Sequence, residues 1–184
     1  MRKMWANVIC AAMAAATLTA CPGPQASAPT ADTISTSFRG QDHGATLSGP
    51  AVAWVAKNAK DKATAGVTSL SKLTVADLPA RWPAGLHLPG NCYVNPAALK
   101  AAKSGAPTLG LLIDKPGGDV DKFFEGEFGN LGLMTPASPA AMSTHEWTTH
   151  GTPNNTSFSA LDATVVQAGD DAGWSYVTLK LTPK

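Results

Sequence analysis

The chain has 184 residues with 14 basic and 13 acidic side chains, a formal charge of +1, and only 15% of its residues are charged. With the lysines and arginines dispersed and a sequence pI near 7.7, no basic patch exists to suggest nucleic acid, and binding to acidic lipid is equally unsupported. Hydrophobic residues make up 44%, enough for one self-sufficient core.

The N-terminus is the most explicit stretch. Arg2 and Lys3 precede an uncharged, alanine-rich apolar run from Met4 to Leu18. It is too short to cross a bilayer as a mature helix and has the order of a secretion signal. The run closes on Leu18-Thr19-Ala20-Cys21. This tetrapeptide resembles the lipobox of bacterial lipoproteins, a branched apolar residue and two small residues before a modified cysteine. The resemblance implies a signal peptide over 1–20, cleavage between Ala20 and Cys21, and a diacylglycerol on the Cys21 sulfur, with a palmitate-type third chain in many Gram-negative bacteria. Several acyl chains are needed because one myristoyl-sized chain binds membranes only reversibly. Pro22 is not the aspartate associated with inner-membrane retention, which favours the periplasmic side of the outer membrane. Ala26-Ser27-Ala28 offers the alternative of ordinary signal peptidase and a soluble product.

Loss of Arg2 and Lys3 leaves 12 basic against 13 acidic residues. Cys10 departs with the signal and Cys21 is acylated, so Cys92 alone remains as a thiol and no internal disulfide forms. Burial among apolar groups is the common fate of such a residue.

Residues 21–50 read as a lipidated flexible tether, since from Pro22 to Pro50 only Ile34, Phe38 and Leu47 are sizeable hydrophobes. Residues 51–77 are ambiguous: Pro50 suits the first turn of a helix running to Lys62, whereas Gly66 and the Thr-rich piece Val67 to Val75 argue against one long helix.

The compact domain is expected over 78–184. Leu86 to Val94 is a short strand or, broken at Pro89-Gly90, two pieces. Asn95-Pro96-Ala97 then has the cap-then-proline form of a helix start, predicting a helix from Pro96 to Lys103, ended by Ser104-Gly105-Ala106-Pro107. Leu109 to Ile113 suits a buried strand. Asp119 is a plausible N-cap for an amphipathic helix whose face of Val120, Phe123, Phe124, Phe128 and Leu131 needs a sheet to lie on, with Asp121, Lys122, Glu125 and Asn130 toward water and Gly129 or Gly132 as its stop. Strands follow at Thr144–Thr149, Thr156–Ala160, Ala163–Ala168 and Trp174–Leu181, separated by Thr152-Pro153-Asn154-Asn155, Leu161-Asp162 and Gly169 to Gly173.

The fold class expected is α+β, an antiparallel sheet packed against one amphipathic helix and preceded by a disordered tether. Strand, Val-x-x-Phe-Phe helix and meander together loosely resemble small bacterial envelope domains with no assigned activity, and carry none across.

Chemical signatures are sparse. His145-Glu146-Trp147-Thr148-Thr149-His150 resembles the zinc-protease helix, but histidines five apart point about 140° from each other on a helix and to opposite faces on a strand. His87 and Cys92 would meet in a turn and, with His43, His145 or His150, hold copper or zinc. No Cys-x-x-Cys, His-x-His or Met-rich tract accompanies them. Asp119, Asp121, Asp170 and Asp171 have structural explanations at a helix start and a turn. No nucleophile elbow, phosphate loop or dinucleotide fingerprint is present, and no cofactor is implied. Of the tryptophans, Trp54, Trp82, Trp147 and Trp174 survive cleavage. Buried packing with a bonded indole is their default, whereas exposed clustering indicates a sugar or peptide platform.

Two function classes follow. One is a membrane-anchored, non-catalytic lipoprotein that binds an envelope protein or a peptidoglycan-related ligand. The other is an envelope hydrolase using His145, Glu146 or His150; a further alternative is a metal-binding protein using Cys92 and His87.

Overall fold

The computed structural model describes residues 29–30, 33–58, 64–103, 108–132, 146–151, 158–167 and 173–183. In chain order these form β1 (Ile34–Arg39), β2 (Thr46–Leu47), α1 (Pro50–Asn58), β3 (Leu70–Lys72), a 3₁₀ turn (Val75–Asp77), β4 (Leu88–Gly90), β5 (Cys92–Val94) and α2 (Pro96–Lys103). The remainder are β6 (Thr108–Ile113), α3 (Gly117–Asn130), β7 (Glu146–Gly151), β8 (Phe158–Gln167) and β9 (Ser175–Pro183). The protein is α+β, as expected, and is built on an antiparallel seven-stranded sheet of order β2-β3-β5-β6-β9-β8-β7.

The sheet is buried on both faces near its middle, which explains why β6 is a continuous apolar run rather than an alternating one. Leu109, Leu111 and Ile113 face a core shared with Val177 and Leu179 of β9, Val120, Phe124 and Phe128 of α3, and Leu99 and Ala102 of α2. Leu112 faces the other side with Tyr93, Tyr176 and Leu70, beneath Val52 and Val55 of α1. The expectation of a single covering helix is therefore corrected: α3 and α2 lie on one face and α1 on the other. α1 is described from Pro50 to Asn58, and its expected continuation to Lys62 lies outside the described residues.

Residues 33–50, expected in the tether, belong to the fold. β1 runs parallel to β4, with Ile34 opposite Leu88 and Arg39 opposite Gly90. Phe38 stacks on Phe123 of α3 at 4.8 Å between ring centroids, and β2 pairs with β3. Only three large hydrophobes were visible in this stretch, and two of them, Phe38 and Leu47, pack against the two cores. Leu86 to Val94 does break into two strands, at Asn91 rather than at Pro89-Gly90. Asn91 adopts a left-handed φ of 59° and its side-chain amide donates to the Gly40 carbonyl at 3.0 Å. That turn moves the chain from the two-stranded β1–β4 pair into the main sheet.

α3 begins at Gly117, with Asp119 in its first turn rather than at its cap, and stops before Gly132, whose φ of 66° suits a helix end. Asp121 was expected in water and is instead 5% exposed, accepting a hydrogen bond from the Thr149 hydroxyl of β7 at 2.9 Å. Leu161-Asp162 is no turn: β8 passes straight through it, Leu161, Ala163 and Val165 alternating inward while Asp162 pairs with Lys180 and His150 in register. The predicted turns at 104–107, 152–155 and 169–172 lie outside the described residues, as do residues 1–28.

Candidate functional site

After β1 the chain crosses the end of β6 so closely that a Cβ on Gly40 would meet the Asp114 backbone at 3.0 Å. The loop that follows, Gln41 to Gly44, is pinned at several points. The His43 backbone N–H donates to the Tyr93 hydroxyl at 2.7 Å, and that hydroxyl donates to Asp42 Oδ1 at 3.3 Å. Asp42 Oδ1 also accepts the Gly44 N–H at 3.0 Å, and its Oδ2 accepts Lys72 Nζ at 2.7 Å. The lysine hydrogen bond, then that of Gly44, holds the Asp42 carboxyl below its usual range, while burial pushes the Tyr93 phenol up.

This framework sets His43 Nε2 2.7 Å from Asp114 Oδ2, with the two side chains 35% and 24% exposed. Asp114 directly follows the last residue of β6. A carboxylate on one ring nitrogen fixes the imidazole's orientation, and the other nitrogen, Nδ1, has no partner among the described residues. The pair borders a cleft of about 320 Å³ also lined by Gln41, Ser48, Leu112 and Trp174. Trp174 meets Trp54 of α1 edge to face, centroids 5.1 Å apart. Both rings are half-buried, at the exposed border of the α1 core. Trp82, by contrast, is buried and donates its indole N–H to the Leu86 carbonyl at 2.7 Å, the default role.

The residues picked from sequence lie elsewhere. Cys21, Ala20 and His145 fall outside the described residues. Glu146 and His150 share β7, four residues and therefore roughly 13 Å apart. The His150 ring bonds the Asp162 carboxylate across the β7–β8 ladder, and neither residue lines the cleft. The His87 backbone N–H and its ring Nδ1 both meet Glu127 Oε2 at 2.9 Å. Cys92 is 2% exposed, and its thiol donates to the Pro89 carbonyl at 2.6 Å. Burial pushes that thiol well above its ordinary range, the opposite of the thiolate a metal requires. Among the described residues no three His, Cys, Asp or Glu side chains are grouped to hold a metal ion, and no helix is long and apolar enough to cross a membrane.

The His43–Asp114 pair was missed because His43 was assigned to the tether and its partner is 71 positions away. The one available signal was an acid placed at the end of an apolar strand. No protein-family model, curated protein or solved structure matches this chain.

Proposed function

We propose that this protein is a bacterial envelope lipoprotein, acylated on Cys21 after cleavage of residues 1–20. Its α+β domain binds, without catalysis, a peptidoglycan-derived saccharide or glycopeptide. The tetrapeptide ending at Cys21 supports the anchor. Trp174 carries the binding reading: an aromatic ring shares a cleft with His43, Asp114, Gln41 and Ser48, and sugar-sized ligands take an apolar face together with a few polar groups. Pro22 after the anchor, where aspartate is associated with inner-membrane retention, supports outer-membrane placement with the domain on the periplasmic side.

Two measurements test this. Labelled palmitate should enter the wild type in its bacterial host and not Cys21→Ser. Soluble disaccharide-peptide fragments of peptidoglycan should bind by calorimetry, with Trp174→Ala weakening them about tenfold, roughly 1.4 kcal/mol. Heat from the fragments unchanged by Trp174→Ala, or no heat at all, removes the ligand, and absence of label removes the anchor.

One observation favours hydrolysis as a second reading. Ser48, His43 and Asp114 line one cleft, and Asp114 occupies a single nitrogen of His43, which leaves Nδ1 available to a nucleophile with Asp114 as the orienting acid. This site replaces the one sought at His145, Glu146 and His150. A fluorophosphonate probe should then modify Ser48 in the wild type and fail in His43→Ala; an unmodified Ser48 ends this reading.

A further inference from the structure

Three of the lysines dispersed along the sequence converge in one place. A second cleft, of about 370 Å³, runs between β3 and α2, and Lys72, Lys100 and Lys103 all line it together with a single acid, Asp77. Its remaining walls are mostly apolar, with Val94, Pro96 and Leu99 among them. Lys100 and Lys103 stand in the last turn of α2, where cations complement the helix dipole. That effect does not account for Lys72, which arrives from a strand in the opposite wall.

The acid is engaged elsewhere. Asp77 Oδ2 accepts the Thr74 hydroxyl at 2.7 Å and the Thr74 backbone N–H at 3.2 Å, closing its own 3₁₀ turn as a capping box. Its other oxygen stands 3.6 Å from Lys103 Nζ, too far for a hydrogen bond. The cleft thus gathers three ammonium groups above an apolar lining: Lys72 is paired with Asp42, Lys103 stands beside Asp77, and Lys100 has no ion pair among the described residues.

We propose that this cleft is a binding site for a phosphate monoester bearing an apolar substituent. Lysines meet a compact dianion as point charges, no arginine fork is present to select a planar carboxylate, and the wall of Val94, Pro96 and Leu99 takes the substituent. The volume suits one small ligand rather than a polymer. The same chemistry is offered by a soluble organic phosphate and by a lipid headgroup. The proposal is independent of the Trp174 cleft.

Phenyl phosphate is the probe, titrated calorimetrically into the full chain. At low salt it should bind at submillimolar concentration, more tightly than inorganic phosphate, and weaken as salt is added. Lys100→Gln with Lys103→Gln, both at exposed positions, should raise the Kd about tenfold or more, and Trp174→Ala should leave it unchanged. Sedimentation with phosphatidylcholine vesicles that contain phosphatidic acid, but not with phosphatidylcholine alone, assigns the site to a headgroup. Equal sedimentation with both, alongside phenyl phosphate binding, assigns it to a soluble phosphate. No binding at millimolar phenyl phosphate, or a Kd indifferent to the double substitution, overturns the proposal.

Discussion

The hydroxyl of Tyr176 on β9 occupies the space a side chain would need at Gly110 on β6: a Cβ built on that glycine lies 1.8 Å from the phenolic oxygen. The two positions are diagonal neighbours, because Tyr176 pairs with Leu112 and Gly110 with Thr178. The ring is 4% exposed and its oxygen is 3.4 Å from the Thr64 hydroxyl, so it has little freedom to move aside. Gly110→Ala should lower the unfolding free energy by about 1–3 kcal/mol, the usual cost of overpacking, read as a lowered denaturant midpoint with an unchanged slope. An unaltered midpoint would mean the ring leaves this seat easily.

Glu127 ties α3 to the segment before β4. One carboxylate oxygen meets both the backbone and the ring of His87, and Glu127 is only 8% exposed. Glu127→Ala should destabilise by about 2 kcal/mol and speed amide exchange at His87. A loss confined to a few tenths would assign the pair to solvated surface.

Asp121 makes stability depend on acidity in an unusual sense. Burial raises its carboxyl above the ordinary 3.8, outweighing the Thr149 hydrogen bond that favours the ionised form. The native state therefore holds this proton more tightly than the unfolded chain, and stability falls as pH rises from near 3.8 through the raised value. Asp121→Asn retains an acceptor for Thr149 and removes the ionisable group. It should be more stable than wild type at pH 7, with the advantage disappearing below about pH 3.8. An advantage of equal size at both acidities would refute the assignment.

Cys92 should be inert in the native protein. Its thiol is buried and bonded to Pro89, so alkylation is limited by opening of the fold. Peptide mapping after iodoacetamide should show Cys92 unmodified until denaturant is added, and zinc should give no protection. Prompt labelling without denaturant would contradict the packing.

Local rules made the centre of this domain legible. Asn95-Pro96 marks the start of α2 by its cap and fixed φ, Leu109 to Ile113 forms a strand because both sheet faces are covered, and the Phe123, Phe124, Phe128 spacing defines α3. The misreadings have a shared origin in partners distant along the chain. Ile34 to Arg39 is too polar to announce a strand and becomes one by pairing in parallel with β4, some fifty positions later. Leu161-Asp162 has the composition of a turn, yet Asp162 stands on the open face of a strand opposite Lys180 and beside His150. Asp121 breaks the polar stripe of α3 because β7 supplies Thr149 to receive it. The cleft was illegible for the same reason: His43 acquires meaning only where β6 brings Asp114 alongside.

Docking of β1 against β4 sets the length of chain that separates the domain from Cys21. Ile34 is thirteen positions beyond Cys21, and thirteen residues at full stretch cover no more than about 45 Å. With lipid on that sulfur, as proposed, the globule patrols a shallow dome over the bilayer. On that proposal, any ligand would be met within this distance of the lipid surface.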